Sequence, residues 1–450
     1  MTDYKLNKEC SRCQHFLPFK MPQEIIDATI NGKLVIFAGA GISTEGEMIM
    51  PGTLYQRIAF ELNLKPTSPN LSFPELMTKF CRKFGRKKLI EEIFSRFNNI
   101  RSFPELYFMA TKFHRELSKI PQIKEIFTTN WDTFFEDECG AMPIISSEEF
   151  RVFWDLPERK VFKIHGSVSN ITTLVADKKD YVECYKKLKD ELIGGYFKVL
   201  LSTRIFVFCG YSFKDEDLRK ILDLLQKELG EFTPYFYLVT TDTGIDKSFL
   251  KKYNVHPIFT DATFFIHSLK KRLIRQKKII AEENFERCCQ KLHEIRRIHD
   301  KIIEENFALK YPISIYTLAY QDGLIHAFER MLTWNKTGEY CDFCRVQGLI
   351  HLYNNILSER TKERRFLEVS YVQGYLNGLL FLVVGKRGQK IMPLYYLYKE
   401  ELSCDYEDYV RILDERLVLH KGSAEFANRF VSKNKIGQND LVYHHPPHLL

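Results

Sequence analysis

The sequence predicts an α/β protein: a parallel sheet with helices on both faces, a helical insertion, and a mainly helical C-terminal domain. Three observations carry this. Short apolar runs alternate with helical segments from Lys33 to about Thr260, the pattern of a parallel sheet covered on both faces. Four of those runs end directly in a small polar motif. From about Phe264 onward, apolar positions recur at helical intervals between many charges.

Taken in order, residues 1–32 are an N-terminal segment whose start, Met1 to Cys10, is polar with no apolar core of a signal peptide. The α/β domain is read as residues 33–262. Its ligand-facing strands are Leu34 to Ala38, Lys124 to Phe127, Val161 to Ile164 and Ile205 to Cys209, each apolar enough to be buried on both faces. The excursion from Tyr55 to Ile120 is rich in Phe, Leu, Lys and Glu at helical spacing and broken at Pro66, Pro69, Pro74 and Pro104; it predicts a helical insertion over the mouth of the sheet. The last strands are Tyr235 to Val239 and Val255 to Phe259. Residues 263–450 form the C-terminal domain. Phe265 to Phe307 predicts one or two long amphipathic helices, and Gly385-Lys386-Arg387-Gly388 a short hairpin. The tail from Ser432 is polar and expected to fray.

Composition bounds the function. At 450 residues, 45% hydrophobic and 28% charged, the chain is an ordinary globular one with material for two or three domains. A net charge of +8 is spread over clusters such as Arg86-Lys87-Lys88, which read as solvated helix faces, so no direct nucleic-acid contact is expected. Leu379 to Val384 is too short to span a bilayer. The expectation is a cytoplasmic protein with reduced thiols and no membrane contact.

Four motifs follow the four strands: Gly39-Ala40-Gly41-Ile42-Ser43, Thr128-Thr129-Asn130-Trp131-Asp132, Lys163-Ile164-His165-Gly166-Ser167 and Gly210-Tyr211-Ser212. In an open α/β sheet, ligands bind beyond the carboxyl ends of the strands, so the four motifs point into one crevice. Gly39 and Gly41 either let a diphosphate approach the backbone or simply make a tight turn; Ser43 would cap the next helix or touch a phosphate oxygen. Asn130 can both donate to and accept from a ribose hydroxyl, a carboxamide or a water, with Asp132 fixing that geometry; both could equally be helix N-caps. His165, at a strand end beside Gly166, is placed to take a proton near neutral pH. Asp215 reads as a helix N-terminal charge.

The order GAGIS, TTNWD, KIHGS and CGYSFKDEDL resembles the sirtuin fold family, in particular the sirtuin-like domains of bacterial anti-phage effectors, over about Lys33 to Phe259. The resemblance implies a Rossmann-type sheet that binds NAD as substrate, with Asn130 and His165 as the catalytic pair. It implies that Gly39, Ala40, Gly41, Ser43, Gly210, Tyr211 and Ser212 line the pyrophosphate and adenosine ends, that Asp132 shapes the pocket, and that Thr240 and His256 close around the adenine. Two departures set the branch. Deacylating members carry a four-cysteine zinc ribbon between the histidine motif and the GxS strand, where this chain has only Cys184, and their GIPDFR segment is replaced by Met50-Pro51-Gly52-Thr53-Leu54.

These departures favour hydrolysis of NAD to nicotinamide and ADP-ribose, with no metal required, in an NAD-depleting effector. Protein deacylation or ADP-ribosyl transfer is the second reading, and an NAD- or ADP-ribose-sensing module the third. A homo-oligomer and an activating partner, an ATPase or a phage component, are expected, with the C-terminal domain governing assembly or activation. Two CxxC pairs, Cys10-Cys13 and Cys341-Cys344, could share a zinc only if the termini meet; unpaired thiols are the plainer reading.

Overall fold

The computed structural model describes residues 18–43, 49–64, 71–211, 219–220, 222–223, 226–227, 230, 234–385, 394–402, 404–415, 421–439 and 441–447. The chain divides into two compact units, Met1–Gln276 and Lys277–Leu450.

The first unit is built on a seven-stranded parallel sheet of order β3-β4-β2-β1-β5-β6-β7. The strands are β1 Leu34–Ala38, β2 Glu125–Thr128, β3 Met142–Ile144, β4 Lys160–Lys163, β5 Ile205–Cys209, β6 Phe236–Thr240 and β7 Val255–Phe259. All five residues of β1 are buried, as a central parallel strand covered on both faces requires. The order reverses between β1 and β5, so the fold has its topological switch point there. β3 was not foreseen. It is three residues long with Pro143 in the middle, which suits an edge strand and leaves no periodicity to read.

The insertion is helical as expected: Leu54–Glu61, Phe73–Phe84, Arg86–Ser102, Pro104–Ala110 and Lys112–Ser118. Its entries are cut by side-chain caps, Thr53 with Gln56 and Ser72 with Glu75, each satisfying two backbone donors at the helix start. Leu54, Ile58, Leu76, Met77, Phe80, Leu89, Ile93 and Phe97 form a core of their own, and Trp131 and Val168, from the loops after β2 and β4, pack against it. The insertion therefore sits on the strand-end loops.

The expected domain limits shift in two places. The helix Ala262–Arg275 belongs to the first unit, not the second. Its buried face, Phe265, Ile266, Leu269 and Leu273, packs on the sheet side, and Lys270 pairs with Glu116 at 2.7 Å. The segment before residue 33 is also part of that unit: Ile25 and Ile26 of the helix Gln23–Ile30 are buried, and the Phe19 ring lies 5.8 Å from that of Phe265.

The second unit is mainly helical, with helices Glu282–Glu304, Ile315–Trp334, Phe343–Lys362, Phe366–Val384, Tyr406–Asp414 and Lys421–Asn434. A core of Ile298, Ile302, Phe307, Leu318, Tyr395, Leu397, Tyr409 and Leu413 joins the helices Glu282–Glu304, Ile315–Trp334 and Tyr406–Asp414. A two-stranded hairpin is present, but at Tyr395–Leu397 and Glu400–Leu402; the residues after Gly385 expected to form one lie outside the described residues. Phe366–Val384 is long and apolar enough to cross a membrane, yet 61% of its apolar window is buried, which is how a core helix reads.

Candidate active site

The site is assembled by register. Thr128 of β2 pairs with Lys163 of β4, and Asn130 and His165 each stand two residues beyond that pair on adjacent strands. On the other side of β2, Ala38 of β1 pairs with Thr128, which brings the Gly39 turn alongside. Asn130, Asp132, Ser43 and His165 are all at least 95% buried.

One hydrogen-bonded chain connects three of them. The Ser43 hydroxyl donates to Asp132 Oδ2 at 3.2 Å and accepts from Asn130 Nδ2 at 3.4 Å. Asn130 Nδ2 also donates to the Gly39 carbonyl at 3.2 Å. A carbonyl only accepts, so the amide orientation is fixed. Asn130 Oδ1 is then left buried with no hydrogen-bond partner among the described residues. Asp132 uses both oxygens, the second accepting from Phe134 N–H at 3.1 Å. Burial raises its pKa against the pull of Lys163. Asp132 is thus not the helix N-cap considered from sequence; that position is Thr133, and Asp132, one residue before it, holds Ser43 and the first helical N–H.

His165 Nε2 lies inward, its ring edge-on to Tyr181 with centroids 5.0 Å apart, while its carbonyl accepts from Val175 N–H at 3.0 Å. Lys163, not singled out from sequence, supports the loop between: its ammonium donates to the Asp132 carbonyl and pairs with Glu136 at 3.2 Å. A lysine inside an otherwise apolar strand run was the available signal.

The glycines bring two loops together. Gly39 N–H donates to Cys209 O and Gly41 N–H to Gly210 O, so the β1 and β5 loops are pressed together at the switch point. A Cβ on Gly39 would stand 2.4 Å from Gly210 O, and Gly210 itself has φ +59° with Ile42 N 2.5 Å from where its Cβ would be. These close approaches are loop against loop. Ala40 lies in the single 3₁₀ turn between them. Tyr211 packs its ring on Phe37 at 5.1 Å, in the core beneath the crevice.

Ser212 and Asp215 lie outside the described residues, as do Cys10 and Cys13. Thr240 ends β6, its hydroxyl accepting from Asp242 N–H. His256 is not brought to the site: it pairs with Tyr237 near the opposite end of β7 and is exposed against the Tyr235 ring. Strand direction decides this, because only the carboxyl end of β7 faces the crevice. Cys341 is buried and donates to Asn335 Oδ1, whereas Cys344 is exposed.

A cavity of about 1150 Å³ lies beside these loops, between β3–β4 and the helices Lys178–Asp190 and Leu192–Thr203. Its lining includes Ile164 and Gly166, the sequence neighbours of His165.

With this geometry in hand, the comparisons with known proteins are specific. The family described as "SIR2-like domain" matches residues 124–258, from β2 to β7. The NAD(+) hydrolase ThsA of Cytobacillus dafuensis is 27% identical over 214 residues, 46% of this chain and 41% of that protein. Defense-associated sirtuin 2 of Bacillus subtilis is 25% identical over 249 residues, 51% of this chain and 23% of its own length. The ThsA of Enterococcus faecium is 26% identical over 214 residues, covering 46% and 42%. The chain thus spans less than half the length of these curated relatives. Residues 124–258 of the parallel-sheet unit thus match a SIR2-like domain.

Proposed function

We propose that the SIR2-like domain hydrolyses NAD to nicotinamide and ADP-ribose. The observation that carries this reading is Asn130 Oδ1, a fixed, buried acceptor with its lone pairs free at a strand end. Leaving such a group without a donor costs on the order of 1–3 kcal/mol unless something supplies one. A ribose hydroxyl or the attacking water is such a donor.

In the reaction, the bond from C1′ of the ribose to the nicotinamide nitrogen breaks, and its electron pair stays with nicotinamide, which leaves neutral. Asn130 Oδ1 accepts from the water and so orients its oxygen toward C1′. As the new C–O bond forms, the water's proton passes to His165, directly or through a ribose hydroxyl. Asp132 acts at one remove, keeping the Ser43 hydroxyl turned so that the Asn130 amide cannot rotate. The leaving group begins as a cation, so no general acid is demanded.

Deacylation is the weaker reading, because the one cysteine between His165 and the start of β5, Cys184, packs its thiol in the core under the Ile164 carbonyl. In a cell this activity would deplete NAD as an antiviral response. The C-terminal unit would govern assembly or activation, as an oligomer or through a partner. Incubating the purified chain with NAD and measuring nicotinamide and ADP-ribose tests the chemistry. Asn130→Ala should lower release by about 10²-fold or more with the fold intact by circular dichroism. Equal release from the folded variant would remove Asn130 from the reaction.

A further inference from the structure

The second unit holds a group of side chains that the SIR2-like chemistry does not use. His299 comes from the helix Glu282–Glu304, Asp322 from the helix Ile315–Trp334, and His444 from the C-terminal segment. His299 Nε2 lies 3.4 Å from Asp322 Oδ1 and 3.4 Å from His444 Nδ1, and His444 Nδ1 lies 3.3 Å from Asp322 Oδ1. We propose that these three atoms bind one divalent transition-metal ion, with zinc the best fit, which clasps the C-terminal segment to the helical core.

The geometry is that of a ligand set. Bonds of ~2.0–2.1 Å from zinc to nitrogen or oxygen at tetrahedral angles separate the ligand atoms by about 3.3–3.4 Å. The three measured edges match that separation. The chemistry matches as well. Two imidazoles and one carboxylate suit zinc, cobalt or ferrous iron; magnesium and calcium favour oxygen alone.

The surrounding hydrogen bonds leave the right lone pairs free. Gln321 Nε2 donates to Leu394 O at 2.8 Å, which turns its Oε1 toward His299 Nδ1 at 3.2 Å. His299 Nδ1 therefore carries the ring proton, and Nε2 presents a lone pair. Asp322 Oδ2 accepts from His445 N–H at 2.6 Å, which leaves Oδ1 facing inward. Two acceptors thus confront each other at 3.4 Å, with both side chains about 95% buried. Lone pairs held that close in a low-dielectric site call for a cation between them. His444, 57% exposed, closes the third side and leaves the fourth position to water. The His445 ring, stacked on Tyr371 with centroids 4.2 Å apart, holds the segment in place.

The competing account is a shared proton: His444 Nδ1–H donating to both acceptors with no metal. Titrating the EDTA-stripped, full-length protein with Co²⁺ separates the two. A metal site gives visible d–d absorption saturating at about one ion per chain. It lacks the near-ultraviolet sulfur-to-cobalt band that the CxxC thiols would produce. His444→Ala, at an exposed position, should keep the circular dichroism of the parent and weaken binding by at least ~10–100-fold. Zinc should raise the melting temperature of the parent and not that of this variant. His293→Ala, at a surface histidine beside Cys289, should bind as the parent does. Absence of the d–d band at every cobalt concentration, or a His444→Ala protein that titrates like the parent, would overturn the proposal.

Discussion

Replacing Ser43 with alanine tests how the site is built. The side chain is fully buried, and its hydroxyl makes two hydrogen bonds, to Asp132 at 3.2 Å and from Asn130 at 3.4 Å. Removing it leaves one oxygen of a buried carboxylate without its donor. A hydrogen bond to a charged group contributes about 1.5–3 kcal/mol, and the missing atom is too small for water to replace it without rearrangement. For a unit of this size, ~2 kcal/mol corresponds to a fall in melting temperature of roughly 4–8 °C. Freed from Ser43, the Asn130 amide keeps only the Gly39 carbonyl as anchor, so kcat for nicotinamide release should fall by about 10-fold, with KM changed less. The decisive measurement is a cycle with Asp132→Ala. If both residues act through one hydrogen bond, the double variant loses about 1–2 kcal/mol less than the two single losses combined. Losses that add within about 0.5 kcal/mol would show that Ser43 and Asp132 are not coupled, and the positioning argument would fail.

Other outcomes follow from neighbouring features. Gly194 and Gly195 are adjacent in one helix but should respond oppositely to alanine. A Cβ on Gly194 would stand 1.9 Å from Leu188 O, which should destabilise by at least ~1–3 kcal/mol. One on Gly195 meets nothing within 4 Å and should stabilise by about 0.5–1 kcal/mol; chemical denaturation reads both. His114 is fully buried, and burial, helped by Lys163 and Arg115, pushes its pKa down to about 3. The unfolded chain protonates it near 6.5, so its contribution to stability is complete above that pH and is lost as pH falls from 6.5 toward 3. The loss is ~2 kcal/mol at about pH 5, and His114→Leu should flatten that part of the stability profile. Overproducing the active chain should lower cellular NAD and slow growth while His165→Ala does not; equal growth arrest from both forms with NAD unchanged would sink the depletion reading.

The sheet was legible because a strand buried on both faces has to be a continuous apolar run, and Leu34–Ala38 and Ile205–Cys209 are such runs. Met142–Ile144 was not, since three residues carry no period. The strand ends pointed to Asn130 and His165, yet the link from Ser43 to Asp132 spans 89 residues and depends on how the β1 and β2 loops meet in space. His256 was misplaced because it rested on the resemblance alone; near the start of Val255–Phe259, it lies away from the carboxyl end that faces the crevice. The helix Ala262–Arg275 was given to the wrong domain because an apolar stripe does not reveal which core it will cover. The group at His299, Asp322 and His444 lay beyond any spacing rule, drawn from positions 145 residues apart.

The press of the Gly39 turn against Gly210 has a consequence for how domains of this kind diverge. Those glycines are required by the closure of two loops on each other, whether or not a nucleotide ever arrives. A descendant that abandoned catalysis and kept only its architecture would retain them, because selection for folding alone preserves them. Asn130, whose acceptor satisfies nothing within the described chain, would be released to drift. In a set of such sequences, the asparagine rather than the glycine signature separates working enzymes from silent ones.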